Sequence, residues 1–370
     1  MRGSIQWNRI VIALMIVIVV VGCSDSTTNT PSDPVLYDST AYVLDTKGIP
    51  TPSLPADNPL TVQKVKLGKM LFNERMLSKD GSQSCADCHL QADAFTDVRR
   101  FSIGVEGKPG TRQAMAVFNM AFQRPIPGHG FFWDGRAPRL RDQALMPIQD
   151  PLEMNETLEN VVTKLSASQT YRDQFVRAFG NDTINTDRIG LALEQFMLSI
   201  VSVNSKHDKV VRGEAAYTMS EQRGRDLFFR EVNPMTGQVG AECFHCHGGP
   251  NFSNDAFMNN GLDREPDFTD LGRFNVTGDP ADRARFKVTS LRNIAITPPY
   301  MHDGRFTTLE EVVDHYNTGV KGSTTVERDI MRFNLRPGGL GLSDQDKADL
   351  IAFLKTLTDD DLRTSVEYIP

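Results

Sequence analysis

A chain of 370 residues with 39% hydrophobic and 8% aromatic side chains has the apolar content for one large domain or two ordinary ones. Its 24% charged content is that of a globular protein, which excludes wholesale disorder, collagen and coiled coil. The 40 basic and 47 acidic side chains leave a net charge of −7, the wrong sign for a nucleic-acid partner.

Arg2 and Arg9 precede the apolar run Ile10–Val21, the anatomy of a secretory signal and too short for a comfortable membrane span. Its ending, Val20-Val21-Gly22-Cys23, resembles a bacterial lipobox with Cys23 as the lipidated first residue of the mature chain. An uncleaved N-terminal anchor is the alternative. Residues 1–22 therefore read as a lipoprotein signal peptide, and the protein as periplasmic and held to a membrane through its lipid anchor only. The stretch 23–59, rich in Ser, Thr, Asp and Pro, reads as a tether.

From residue 60 the chain repeats itself. Leu67-Gly68-Lys69-Met70-Leu71-Phe72 leads into Cys85-Ala86-Asp87-Cys88-His89. Phe132-Trp133-Asp134-Gly135-Arg136 follows, with a helix predicted over Arg139–Met146. Thr186-Asp187 then opens an amphipathic helix running through Leu193, Phe196 and Ile200. The same order recurs as Arg223-Gly224-Arg225-Asp226-Leu227-Phe228, Cys243-Phe244-His245-Cys246-His247 and Met301-His302-Asp303-Gly304-Arg305. A helix predicted over Leu309–Tyr316, with a Thr308/Glu311 capping box, comes next. A last one opens at Ser343-Asp344 and runs through Leu350, Phe353, Leu354 and Leu357.

Of the five cysteines, Cys23 belongs to the lipobox and the other four make two copies of C-x-x-C-H, the c-type haem attachment signature. Two disulfides would not require a His after each pair. A zinc site usually has its halves closer in sequence, and a thioredoxin-like motif needs a strand before it. The fold expected is mainly α, with two tandem cytochrome c-like domains at 60–212 and 213–370, each carrying one covalent haem c. Laying the repeats over one another without gaps places Trp133 on His302, Gln143 on Val312 and Pro147 on Tyr316. If Tyr316 points at the second iron, the matching position over the first is a proline that cannot ligate. The repeat thus predicts one open and one closed haem.

With these motifs on view, the sequence resembles the bacterial di-haem cytochrome c peroxidases and the MauG proteins related to them, over about residues 60–357. The resemblance is carried by the two C-x-x-C-H sites, Phe132–Ala137, Gln143-Ala144, Pro147, Pro151-x-Glu153-Met154, Leu291-Arg292-Asn293, Pro299–Gly304 and Thr308–Val313. It implies His89 as proximal ligand of a peroxide-binding haem in 60–212, with Gln143, Pro147 and Glu153 on its distal side. It implies His247 as proximal ligand of an electron-transfer haem in 213–370, and Trp133 between the two. Asn119, Thr297 and Pro299 match positions where the family holds calcium at the domain interface, the last two through backbone carbonyls.

Two departures bear on chemistry. Where the well-known peroxidases place a methionine as second ligand of the electron-transfer haem, this chain has Tyr316, as MauG-like members do. A hard anionic donor there implies a lower potential. The segment Gly110–Met115, matching a mobile loop whose histidine caps the peroxide haem in many relatives, has no histidine, and His129 is the nearby substitute.

Each residue also has a plainer reading. Glu153 could be an exposed carboxylate beside Glu156, Gln143 a surface amide, Trp133 a core aromatic and Tyr316 a packed helix residue with His315, His302 or Met301 ligating instead. His207 and His245 read as structural or exposed, and Arg292 and Arg305 as partners of haem propionates.

The leading function is reduction of hydrogen peroxide to water, with electrons from a small periplasmic cytochrome c or cupredoxin. A MauG-like alternative uses peroxide-derived high-valent haems to oxidise residues of a partner protein, and a further one is a non-catalytic di-haem electron carrier. Family members are often dimers, so the resemblance allows a homodimer.

Overall fold

The computed structural model describes residues 34–124 and 128–369. The signal peptide and Cys23 lie outside the described residues. Among the described residues twelve α-helices follow in chain order: α1 (Val62–Phe72), α2 (Leu140–Gln149), α3 (Leu158–Ala167), α4 (Gln169–Phe179), α5 (Thr186–Ser199), α6 (Lys206–Val211), α7 (Met219–Phe228), α8 (Phe244–His247), α9 (Phe274–Thr277), α10 (Leu309–Asp314), α11 (Asp344–Lys355) and α12 (Asp360–Thr364). Among the described residues the strands are two short ones, β1 (Phe257–Met258) and β2 (Phe286–Lys287), paired antiparallel with Phe257 opposite Lys287. The mainly helical expectation is met.

Two apolar cores organise these helices. One gathers Leu67, Leu71 and Phe72 of α1, Phe175 of α4 and Ile189 and Phe196 of α5. The other gathers Leu227 and Phe228 of α7, Val313 of α10 and Leu350, Phe353 and Leu354 of α11. In each, a helix before a C-x-x-C-H motif crosses the helix that closes the half. Both crossings are made close by a glycine: a Cβ on Gly68 would lie 2.0 Å from the Ala192 carbonyl oxygen, and one on Gly224 would lie 1.8 Å from that of Asp349.

Caps follow the expected chemistry with one difference. Ser343 and Asp346 form a capping box on α11, and Thr308 and Glu311 form one on α10. The cap of α5 is Asn185, one residue earlier than expected, because its carboxamide oxygen accepts from Arg188 N–H at 2.9 Å. From residue 35 the segment read as a tether runs along the first core. There Asn58 is fully buried and donates to Leu191 O and Glu194, and Tyr42 and Leu44 pack against apolar side chains. No helix among the described residues is long and apolar enough to cross a membrane.

The backbone repeats more closely than the sequence. Asn119 and Asn293 both take left-handed φ (+55° and +59°). Each donates its backbone N–H to a carbonyl just past a closing helix, Asn119 to Ile200 O and Asn293 to Leu357 O. Phe132 and Met301 also share left-handed φ, at the start of turns that pair Phe131 with Ala137 and Tyr300 with Phe306.

Candidate functional site

In the first half, Ser84 and Asp87 close a reciprocal cap over the single turn Cys85–Asp87. That turn sets the Cys88 and His89 N–H groups on the Cys85 carbonyl at 3.2 and 2.9 Å. His89 Nδ1 lies 2.9 Å from the Phe95 carbonyl oxygen. A carbonyl only accepts, so Nδ1 carries the proton and Nε2 keeps a free lone pair, the arrangement of a metal-ligating histidine. Phe95 and the preceding Ala94 both have left-handed φ, +58° and +52°. Two adjacent residues in a region unfavourable to side chains turn this carbonyl toward the ring.

Gln143 and Pro147 stand one turn apart on α2, both half-buried. The helix runs on to Gln149, beyond the expected end at Met146, although Pro147 has no N–H for the Gln143 carbonyl. Glu153 follows in the next turn, where its N–H donates to Asp150 O (3.0 Å) and its carbonyl accepts from Val105 N–H (2.9 Å). Its carboxyl is half-buried rather than exposed. Burial chiefly, with Asp150 adding and Arg136 opposing, lifts it to about 7. Burial also pushes the Cys85 thiol up to about 12, and Cys88 and the nearby Glu153 carboxylate push the same way. The Glu153 carboxylate thus acts electrostatically on both cysteines of the haem motif in its own half.

The second half is built alike. Cys243, Cys246 and His247 line an apolar cavity together with Tyr316, Met301 and His302. His247 Nδ1 sits 3.1 Å from the carbonyl of Phe252, again a phenylalanine with left-handed φ (+50°), which places the proton on Nδ1 and the lone pair on Nε2. Burial pushes His247 down to about 4, so the ring is neutral, as a ligand must be. Tyr316 belongs to a π-helical turn, His315–Gly319, that continues α10, a distortion often found at functional positions. His315 spends Nε2 on the Asn260 carbonyl (3.1 Å), while Asn260 Nδ2 donates to Tyr316 Oη (3.1 Å) and Met301 Sδ (3.3 Å). Burial raises the Tyr316 phenol, and the Asn260 donor works against it.

Trp133 also lines this cavity. Its Nε1 donates to Gln113 O (2.8 Å), Gln113 N–H donates to His302 O (2.8 Å), and the Trp133 and His302 rings meet edge to face at 6.5 Å. His302 in turn stacks on Phe286 with centroids 3.6 Å apart. The segment matching the mobile loop is tied down: Arg112 pairs with Asp270 (2.7 and 2.9 Å) and Asp134 (2.6 Å). His129 places Nδ1 2.8 Å from the Asp255 carbonyl and its ring against Phe257.

Arg292 and Arg305 are each paired with carboxylates of the chain. Arg292 is almost wholly buried and bonds Asp208 through two nitrogens at 2.8 Å each, with Pro250 O taking the rest. Arg305 is held by Asp263 and Asp303. His207 bonds Tyr217 and His245 pairs with Glu231, in keeping with structural roles.

Asn119 is buried, its Oδ1 accepting from Ser202 N–H (2.7 Å) and its Nδ2 donating to Ser202 O and Asn251. One lone pair of Oδ1 is left over. Thr297 and Pro299 lie in the wall of the second cavity, and no hydrogen bond among the described residues joins either to Asn119.

The rival readings of the cysteines lose ground here. No disulfide joins these four cysteines among the described residues, and the one group of three mutually close His, Cys, Asp or Glu donors there, Glu231, Glu242 and His245, contains no cysteine. Paired thiols beside a neutral histidine with a free Nε2, at an apolar cavity in the second half, suit a covalently attached haem. Missed in the sequence were Asn260 and the carbonyls of Phe95 and Phe252. Asn260 has no motif around it. The two phenylalanines, six and five residues after each histidine, were a readable signal.

A family described as di-haem cytochrome c peroxidase matches residues 62–216. The methylamine utilization protein MauG of Methylophilus methylotrophus is 34% identical over 319 residues, 85% of this chain and 88% of the relative. Cytochrome c551 peroxidase of Nitrosomonas europaea is 34% identical over 314 residues, 84% of each chain. Among solved structures, a MauG-like protein associated with microbial copper homeostasis aligns with a TM-score of 0.79 and 35% identity, covering 89% of this chain and 99% of that one.

Proposed function

Because the chain belongs to the di-haem cytochrome c peroxidase and MauG family, and is an oxidoreductase of that kind, we propose that it reduces hydrogen peroxide to water in its first half. Electrons enter the second half from a small periplasmic cytochrome c or cupredoxin. Residues 60–212 and 213–370 act as tandem cytochrome c-like domains, behind a lipid anchor at Cys23 and the segment 23–59. Bound haem c supplies iron that exchanges electrons and, in the first half, an open position for peroxide.

Cys85 and Cys88 hold one haem and Cys243 and Cys246 the other, with His89 and His247 offering Nε2. Tyr316 would offer the second haem its phenol oxygen. Pro147, at the matching place on α2, would have no ligating atom to offer the first. Glu153 takes the first peroxide proton and returns it to the leaving oxygen, for which a carboxyl titrating near neutrality is suited. Gln143 orients the bound peroxide, and Trp133 relays electrons between the halves. Calcium at Asn119 and the Thr297 and Pro299 carbonyls belongs to the same proposal, as does a homodimer.

The observation that carries this reading is Glu153, half-buried in the turn after α2, its carboxyl lifted to about 7 by that burial and its charge felt at Cys85 and Cys88. Stopped-flow mixing of the oxidised holoprotein with stoichiometric peroxide tests it. A fast change in the haem bands without reductant, slowed in Glu153→Gln, is the expected result. An unchanged rate in that variant removes Glu153 from the chemistry.

Tyr316 in the second cavity and the absence of a histidine in Gly110–Met115 favour a second reading, in which residues of a partner protein are the electron source. Turnover with reduced cytochrome c separates the two. The electron-carrier reading requires an iron inert to peroxide, and the same mixing experiment decides it.

A further inference from the structure

The first core has an outer face that the proposed chemistry does not use. Tyr42, Tyr171 and Tyr368 line one groove of about 720 Å³, whose floor includes Met70, Met76 and Phe196. Two of these phenols point at carboxylates. Tyr42 Oη donates to Glu367, and Tyr171 Oη donates to Glu74 at 2.7 Å. Tyr171 and Tyr368 are both buried, and Tyr368 Oη accepts from Val201 N–H (3.3 Å) and donates to Ser199 O (3.4 Å).

The groove is joined to the first haem motif by aromatic contact. The Tyr368 ring meets Phe95 edge on, at 5.7 Å and 88°. Phe95 in turn holds His89 Nδ1 through its carbonyl at 2.9 Å. Phe72 touches both, 6.4 Å from Phe95 and 6.2 Å from the His89 ring. Rings thus run from His89 through Phe72 and Phe95 to Tyr368, which lines the groove together with Tyr42 and Tyr171, the two phenols with a base in hydrogen-bond contact.

We propose that this groove is a second oxidation site, where small phenolic reductants deliver electrons to the first half through Tyr42 and Tyr171. The inference rests on the peroxidase reading above. An oxidised phenol sheds its O–H proton, and burial keeps these phenols protonated beforehand. When an electron leaves Tyr42 or Tyr171 toward His89, its proton passes to Glu367 or Glu74. A phenol in the groove then restores the tyrosine by giving up one electron and one proton. Over two such cycles one hydrogen peroxide and two phenols become two waters and two phenoxyl radicals. The apolar floor suits an aromatic ring, and the carboxylates at the rim suit a phenolic hydroxyl.

The test mixes oxidised holoprotein with hydrogen peroxide and freezes it for EPR, with guaiacol oxidation and reduced-cytochrome turnover measured in parallel. The wild type is expected to show a tyrosyl signal. The double variant Tyr42→Phe/Tyr171→Phe, which keeps both rings, is expected to lose that signal and about tenfold of its guaiacol rate, with cytochrome turnover unchanged. Unchanged signal and guaiacol rate in the double variant would overturn the proposal. Should the variant fail to fold, peroxide-treated wild type is trapped with a nitroso spin trap and mapped by mass spectrometry. Adducts at Tyr42 or Tyr171 support the site, and adducts confined elsewhere refute it. Cytochrome turnover without any tyrosyl signal sinks this inference alone, whereas a protein inert to peroxide sinks the peroxidase reading with it.

Discussion

Glu153 shows how one carboxyl is prepared for proton transfer. Burial, with Asp150 adding and Arg136 opposing, holds it near 7, against an ordinary 4.5. Below that pH it is protonated and cannot accept from peroxide. The peroxide reaction of the wild type should therefore quicken as pH rises through about 7 and level off above it. Glu153→Gln should be slower by about 100-fold or more and lack that limb, and a wild-type profile flat through this range would contradict the assignment. The stability sign is opposite to that of a salt-bridged carboxylate. The folded state holds this proton more tightly than the unfolded chain, so ionisation costs stability as pH rises from about 4.5 to about 7. Above neutrality Glu153→Gln should thus unfold at higher urea than the wild type. Asp208 is the contrary case. Burial raises its carboxyl, but Arg292 and Ser205 more than offset that and hold it below its ordinary value. Replacing Arg292 by Met strands a buried carboxylate and should cost about 3–5 kcal/mol in urea unfolding. A loss under about 1 kcal/mol would mean that water reaches Asp208. From sequence Arg292 reads as a partner for a propionate, with the choice left open. An arginine needs a carboxylate, but not which carboxylate, and Asp208 is 84 residues away in the chain.

Among the helices, the crossings of α1 with α5 and of α7 with α11 carry the internal repeat into packing. Ala favours a helix interior over Gly by about 1 kcal/mol, so Gly68→Ala and Gly224→Ala would stabilise exposed helices. Here each new Cβ would meet a backbone carbonyl oxygen at 2.0 or 1.8 Å, which no side-chain rotation relieves. Overpacking of this kind costs about 1–3 kcal/mol, and against backbone the upper end applies. The expected net effect is a loss of about 1–2 kcal/mol in each variant, read as a lower thermal midpoint. A raised midpoint would show that the helices slide apart freely. These helices were legible because Leu67-Gly68 and Arg223-Gly224 recur before the haem motifs and apolar spacing marks the partners. Two ends were not. Apolar periodicity describes regular helix only, so it could not show that α10 widens into the π turn His315–Gly319, the turn carrying Tyr316. Nor could it show that α2 continues past Pro147, since a proline normally ends the pattern and only tertiary contacts hold the turn.

At the scale of the molecule, what the repeat could not reveal is how the two cores are tied together. Gln113 N–H bonds His302 O, Lys287 N–H bonds Trp133 O, and Arg112 reaches Asp134 and Asp270, so the aromatic unit of Trp133 and His302 sits on the seam. The residues of this seam are far apart in sequence and carry no shared pattern, which is why motif reading found Trp133 but not its anchors. The chain end makes a second tie. After α11, Asp359 accepts from the backbone N–H groups of Val203 and Asn204. Gln91 then donates to Leu362 O and Ser365 O, and Arg363 to Ala92 O. Leu362 and Tyr368 finish inside the first core, 2% and 7% exposed. The last residues of the second half are therefore part of the hydrophobic core of the first. Deleting residues 359–370 withdraws one leucine and one tyrosine from that core and uncovers Phe95, whose carbonyl orients His89. At about 1.5–3 kcal/mol for each large apolar side chain, the loss is about 4 kcal/mol. That falls on the first core, so one unfolding transition should become two, the earlier one reporting Phe95 and His89 through loss of the first haem band. The full-length protein supplies the control, with both haem bands lost together. A truncated protein that still melts in a single step at the wild-type midpoint would mean that the tail only covers a core already complete without it.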